Sequence, residues 1–133
     1  MKKLLLIVSV IGFLLISCEE PKTNFDLLFE FLNTLNKYTA SNGNTVYYKT
    51  NLFETEANAI DNKFINLSLS AGYYGSSPSY GTVDLNTIPS QMQPIHSLYF
   101  ISYSVTPDKS TIQCMTGKRN YNDVAVGIRT NIK

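Results

Sequence analysis

The spacing of apolar residues changes character along this chain, and that change restricts the fold more than any other feature. Phe25, Leu28, Phe29, Leu32 and Leu35 recur every three or four residues, which lines one side of a helix. Thr23, with Asp26 three residues on, has the form of an N-cap with a reciprocal carboxylate. The spacing predicts a helix over 24–39, with Leu27, Phe31 and Tyr38 widening its apolar face and Ser41-Asn42-Gly43-Asn44 as its stop. A short strand over 46–50 follows, then a brief helix opened by the cap-like Asn51-Leu52-Phe53-Glu54 and ending near Ile60. From there the period becomes two. Ile65, Leu67, Leu69 and Ala71 alternate with polar residues, as do Tyr99, Ile101, Tyr103 and Val105, the mark of half-buried strands. Thr106-Pro107-Asp108-Lys109 turns the chain, 111–116 returns, 117–122 turns again, and Val124, Val126 and Ile128 line a last strand. Consecutive strands with short turns pair antiparallel. The expected fold is therefore α+β: a small single domain with an N-terminal helix packed on an antiparallel β-meander, its Leu28, Phe29 and Leu32 stripe against strands at 65–71, 98–105 and 111–116.

The first residues carry an address. Met1-Lys2-Lys3 precedes a run from Leu4 to Ile16 that is apolar apart from Ser9 and Gly12, the layout of a charged n-region and an h-region. Thirteen residues at about 1.5 Å each make a helix of ~20 Å, short of the ~30 Å bilayer core. Cleavage after Ser17 by the general signal peptidase would place the large Leu15 at −3, where a small residue is needed. Leu15-Ile16-Ser17-Cys18 instead resembles the lipobox of bacterial lipoproteins. That resemblance implies a signal peptide over 1–17, lipidation of the Cys18 thiol with diacylglycerol, and often acylation of the new amine with a fatty acid such as palmitate. Two or three long chains hold a protein on a membrane where one does so only marginally. Residues 18–23, Cys-Glu-Glu-Pro-Lys-Thr, then read as a tether, and 24–133 as the globular domain. The stretch Gly12 to Ser17 also imitates a prepilin processing site, but it lacks the glutamate that family needs and the long apolar helix after the cut. Glu19 beside the anchor resembles a residue permissive for sorting, which inclines the location in the cell envelope toward the outer rather than the inner membrane.

Removal of 1–17 leaves 116 residues, enough for one domain. Two of the eleven Lys and Arg go with the leader and all ten Asp and Glu remain, so the net charge is near −1. No basic run exceeds Lys118-Arg119, which provides no electrostatic footprint for nucleic acid. Once Cys18 carries lipid, Cys114 is the last thiol and no intramolecular disulfide can form, so the core must hold by packing alone. Nine Tyr and the six Phe that remain once Phe13 leaves with the leader supply large apolar area for it.

Candidate reacting groups are few. His96 is the one histidine, so a dyad or triad must use it, with Cys114 or a serine as nucleophile. Glu54 and Glu56 are two apart in an expected helix, on different faces, and the aspartates sit mostly where caps and turns use them. No pair of His or Cys at metal-ligand spacing, no calcium loop and no phosphate loop is present, and no cofactor is implied. Between the second helix and the meander, Gly72 to Gly81 is built from Gly, Tyr, Ser and Pro alone. That composition is also found in adaptable binding loops, and it nominates Tyr73, Tyr74 and Tyr80 for partner recognition.

The expected protein is a membrane-anchored lipoprotein that works as a non-catalytic binding, adaptor or assembly component of the envelope, with an envelope protein as its partner. The alternative is a cell-wall or envelope hydrolase using His96. In layout the helix-then-meander order is similar to the globular heads of pilins and pseudopilins, and size and anchoring are similar to small secretion-system lipoproteins, which implies a role near such machinery.

Overall fold

The computed structural model describes residues 21–74, 79–119 and 125–132. Among the described residues two α-helices and six strands form one α+β domain: α1 (Asn24–Leu32), β1 (Asn36–Thr39), β2 (Thr45–Leu52), α2 (Glu54–Ser70), β3 (Ser79–Val83), β4 (Tyr99–Val105), β5 (Ile112–Arg119) and β6 (Ala125–Ile132). The strands make a single sheet in the order β1-β2-β4-β5-β6-β3, with every neighbouring pair antiparallel.

Helix α1 starts where its cap requires. Thr23 Oγ1 accepts from the Asp26 amide at 3.1 Å and Asp26 Oδ2 accepts from the Thr23 amide at 3.2 Å, so two otherwise unpaired donors are satisfied together. Its Leu28, Phe29 and Leu32 side chains are buried, as their spacing predicts. The helix stops at Leu32, seven residues before the expected Thr39, because the next segment is used differently. Residues 36–39 pair with 45–48 as a hairpin. Ser41 to Asn44, expected as a helix stop, is the hairpin's turn, with Asn42 Oδ1 accepting from the Asn44 amide at 3.0 Å. Asn33, Thr34, Asn36 and Thr39 are poor helix formers, and the ladder to β2 outweighs a helical continuation of Leu35 and Tyr38.

The second correction is larger. The expected strand over 65–71 is the C-terminal half of α2, which runs for 17 residues. Alternation of Ile65, Leu67, Leu69 and Ala71 is equally a pair of i, i+4 relations, and the helix sorts them by face. Ala57, Phe64 and Ser68 are buried, whereas Ile65 and Leu69 are exposed. Phe53 donates its amide to Glu56 Oε1 at the start. At the end the Gly72 amide donates to Leu69 O and the Tyr73 amide to Ser68 O, at 3.0 and 2.9 Å. This paired closure needs a left-handed residue at its centre, and Gly72 supplies it with φ of 91°.

The meander β4-β5-β6 forms in the expected order, except that β5 continues to Arg119 through the start of the turn expected over 117–122, while residues 120–122 and Val124 lie outside the described residues; β4 lies at its inner side against β2. Both faces of β4 are covered. Ile101, Tyr103 and Val105 pack with Ile112 and Cys114 against the helices, in one cluster with Leu28, Leu32 and Phe64. Phe100 belongs to a second cluster with Val46, Val83, Ile88 and Met92. The latter exists because the chain, having laid β3 along the far side of β6, must return to the middle of the sheet. Residues 84–98 make that return across the face opposite the helices. Gln93 Nε2 holds it by donating to Leu85 O and Ile88 O, and Asn51 Oδ1 accepts from the Ile95 amide at 2.8 Å.

Register places Phe100, Gly117, Gly127 and Gly81 in one row across β4, β5, β6 and β3. The Phe100 ring lies over Gly117, where a Cβ would come within 2.6 Å of it. A large ring and a bare backbone thus fill one place in the row, as aromatic cover of a sheet glycine does elsewhere.

Candidate functional site

On the inward face of α2, Ala57, Ile60, Phe64, Leu67 and Ser68 follow helical spacing, and Asp61 stands in the middle of that stripe. A carboxyl there is aimed at the sheet rather than at water. The Tyr103 hydroxyl donates to Asp61 Oδ1 at 2.5 Å, and the Thr116 side chain is a second donor to it. Phe64, one turn along, stacks on the Tyr103 ring with centroids 3.8 Å apart, which fixes the ring and so the hydroxyl.

Beside these groups is a cavity of about 270 Å³, lined by Ala57, Asp61, Tyr99, Thr116, Lys118 and Val126 among others. Strand register accounts for its wall, since Lys118 pairs with Tyr99 on one side and Val126 on the other. Lys118 Nζ lies 5.7 Å from the Tyr99 ring centroid, and Tyr99 interacts with Glu54 at the start of α2. The cavity is mainly apolar, and its lining carries one acidic residue, Asp61, and one basic residue, Lys118.

Burial pushes the Asp61 carboxyl up to about 6, and its hydrogen bonds from Tyr103 and Thr116 only partly offset this. Burial, followed by the charge of Asp61, drives the Tyr103 hydroxyl far above the ordinary phenol range. Tyr103 therefore stays a neutral donor. A carboxyl kept in an apolar stripe at a cost to its own ionisation is a marker of functional sites. The sequence signal for it was an aspartate at helical spacing between Ala57 and Phe64, hidden while α2 was expected to end near Ile60 and Asp61 was assigned to a cap or turn.

The residues nominated from sequence are dispersed. Tyr73 is a core residue, 5% exposed, stacked against Phe25 and donating its hydroxyl to Lys109 O; its expected place in a recognition loop is corrected, because α2 closes on it. Tyr74 is 75% exposed. Tyr80 pairs with Ile128 in β3, so part of the expected loop is an edge strand; its side chain and residues 75–78 lie outside the described residues, as does Cys18 with its lipobox. His96 is exposed and Cys114 is buried. The Ser97 amide donates to Arg119 O, so His96 lies near the Arg119 end of β5. Cys114 is five residues back along that strand, roughly 17 Å at about 3.4 Å per residue. The two do not form a dyad. Glu56 is engaged in its cap and Glu30 in an exposed pair with Lys22.

Among the described residues no group of three His, Cys, Asp or Glu is placed to hold a metal ion, and no helix is long and apolar enough to cross a membrane. Compared with protein-family models, curated proteins and solved structures, the chain matches none.

Proposed function

We propose that this protein is a lipid-anchored component of the bacterial cell envelope, held on the outer membrane through Cys18, and that its domain acts by binding rather than by catalysis. The anchor rests on the short apolar leader that ends at Leu15-Ile16-Ser17-Cys18. Binding is supported above all by the Asp61 cavity, a concave, largely apolar space with one half-buried carboxyl on its lining, the usual anatomy of a recognition site. An adaptor or assembly role among envelope proteins is the setting in which such a domain would work, with the exposed Tyr74 on the same chain as a contact for a protein partner.

The test uses cells lacking the chromosomal copy and complemented with variants. Wild type labelled with an alkyne fatty acid should carry the label and Cys18→Ala should not. His96→Ala should restore the wild-type phenotype, whereas Val126→Trp, which enlarges a side chain on the cavity lining, should fail while melting normally. Equal labelling of Cys18→Ala would remove the anchor. A folded His96→Ala protein without function, beside a fully functional Val126→Trp, would replace the binder by the hydrolase.

A further inference from the structure

We infer that the Asp61 cavity takes a small zwitterion, an apolar α-amino acid or a dipeptide, with its ammonium on Asp61 and its carboxylate on Lys118. This rests on the binding reading above and specifies its ligand.

Charge balance excludes the other small-molecule classes. An ionised carboxylate offers about four acceptor positions and no donor. Tyr103 and Thr116 donate to Asp61 from the sheet, which leaves capacity for a donor arriving through the cavity. A ligand ammonium fits that capacity. A ligand that is only cationic would also meet Lys118 on the lining, and one that is only anionic would meet Asp61 with Glu54 nearby. A neutral apolar molecule would bury Asp61 further without giving it a donor, which is costly. A zwitterion meets both charges with opposite ones, and its side chain faces Ala57, Tyr99 and Val126. Asn58, also on the wall, has an amide that can donate to the same carboxylate. Size agrees, since about 270 Å³ falls just below the ~300–1,000 Å³ of clefts that hold drug-sized ligands, which suits one or two amino-acid residues.

The charged and titratable groups around Asp61 are Tyr103 and Tyr99 from β4, Cys114 and Lys118 from β5, and Glu54 from α2. With the carboxyl pushed up to about 6, the anion that receives the ammonium is present at neutral pH and lost below it. Affinity should therefore fall as pH is lowered through about 6.

The experiment is calorimetric titration of the full chain, reconstituted in lipid nanodiscs, with L-leucine, leucinamide and N-acetyl-leucine. L-leucine should bind saturably, and each blocked analogue should bind at least about tenfold more weakly, which is ~1.4 kcal/mol. Asp61→Asn should weaken L-leucine by a similar factor and abolish the penalty for N-acetyl-leucine. Lys118→Gln should abolish the penalty for leucinamide. Both variants must melt no lower than wild type, and a backbone-silent control, Lys49→Gln on the exposed part of β2, should bind as wild type. Equal binding of all three compounds would overturn the zwitterion. So would saturable binding of hexylamine or hexanoate in preference to leucine; if Val126→Trp blocked that binding, the cavity would stand as a site for another ligand. No binding of any probe by ~10 mM, together with a functional Val126→Trp in cells, would overturn the ligand and the binding site together.

Discussion

The Tyr103 hydroxyl meets Asp61 Oδ1 at 2.5 Å, joining the central strand of the sheet to the middle of α2's inward face across 42 residues of sequence. The contact is made by a wholly buried ring and a carboxyl whose ionisation burial opposes. It joins helix to sheet and is also a source of instability at neutral pH.

That instability has a sign and a window. Asp61 rises from 3.8 to about 6 in the folded state, so the folded protein holds the proton more tightly than the unfolded chain. Its contribution is fully present below about pH 4, falls as pH rises to about 6, and is gone above. The change corresponds to as much as about 3 kcal/mol. Asp61→Asn, which keeps an acceptor for Tyr103, should match wild type near pH 4 and exceed it by about 1–3 kcal/mol near pH 7.5 in denaturant melts. A constant difference at both pH values would refute the assignment.

Truncation of α1's buried stripe should be severe. Leu32 is fully buried among residues of both helices and the sheet, and Leu32→Ala should cost about 2–5 kcal/mol through lost burial and the cavity left behind. A loss within ~0.5 kcal/mol would mean that α1 is not packed on the sheet.

Gly117 should resist the smallest enlargement. The Phe100 ring and Val126 O leave no space for a Cβ, so Gly117→Ala should lose about 1–3 kcal/mol by overpacking. Pairing it with Phe100→Leu should recover part of that loss, because the two side chains compete for one volume. Strict additivity in the double-mutant cycle would show that they do not meet.

The adjacent tyrosines should behave as opposites. Tyr73→Phe removes the hydroxyl that donates to Lys109 O and should cost about 0.5–1.5 kcal/mol. Tyr74→Ser, at a side chain three-quarters exposed, should leave stability within ~0.5 kcal/mol. Any defect of Tyr74→Ser in capturing an envelope partner would then report recognition alone. Equal destabilisation by the two would contradict their placement.

What local sequence determined here are the features that local chemistry decides. Thr23 and Asp26 cap α1 because they are three residues apart, Leu28, Phe29 and Leu32 share a face because a helix repeats every 3.6 residues, and few residues separate β4, β5 and β6, which therefore pair as a meander. Tertiary structure decided the rest. Residues 65–71 alternate as a strand would, yet they continue α2, because Phe64 and Ser68 fit the sheet and Ile65 and Leu69 can face water. Residues 36–39 leave the helix because β2 offers them hydrogen bonds. Ser79 to Val83 becomes an edge strand because β6, more than forty residues later, presents one. Asp61 reads as an ordinary polar residue until α2 is long enough to aim it at Tyr103 and Thr116. Periodicity says which side chains share a face, but not which partner will cover it, and both the choice between helix and strand in a short apolar segment and the environment of a single carboxyl depend on that partner.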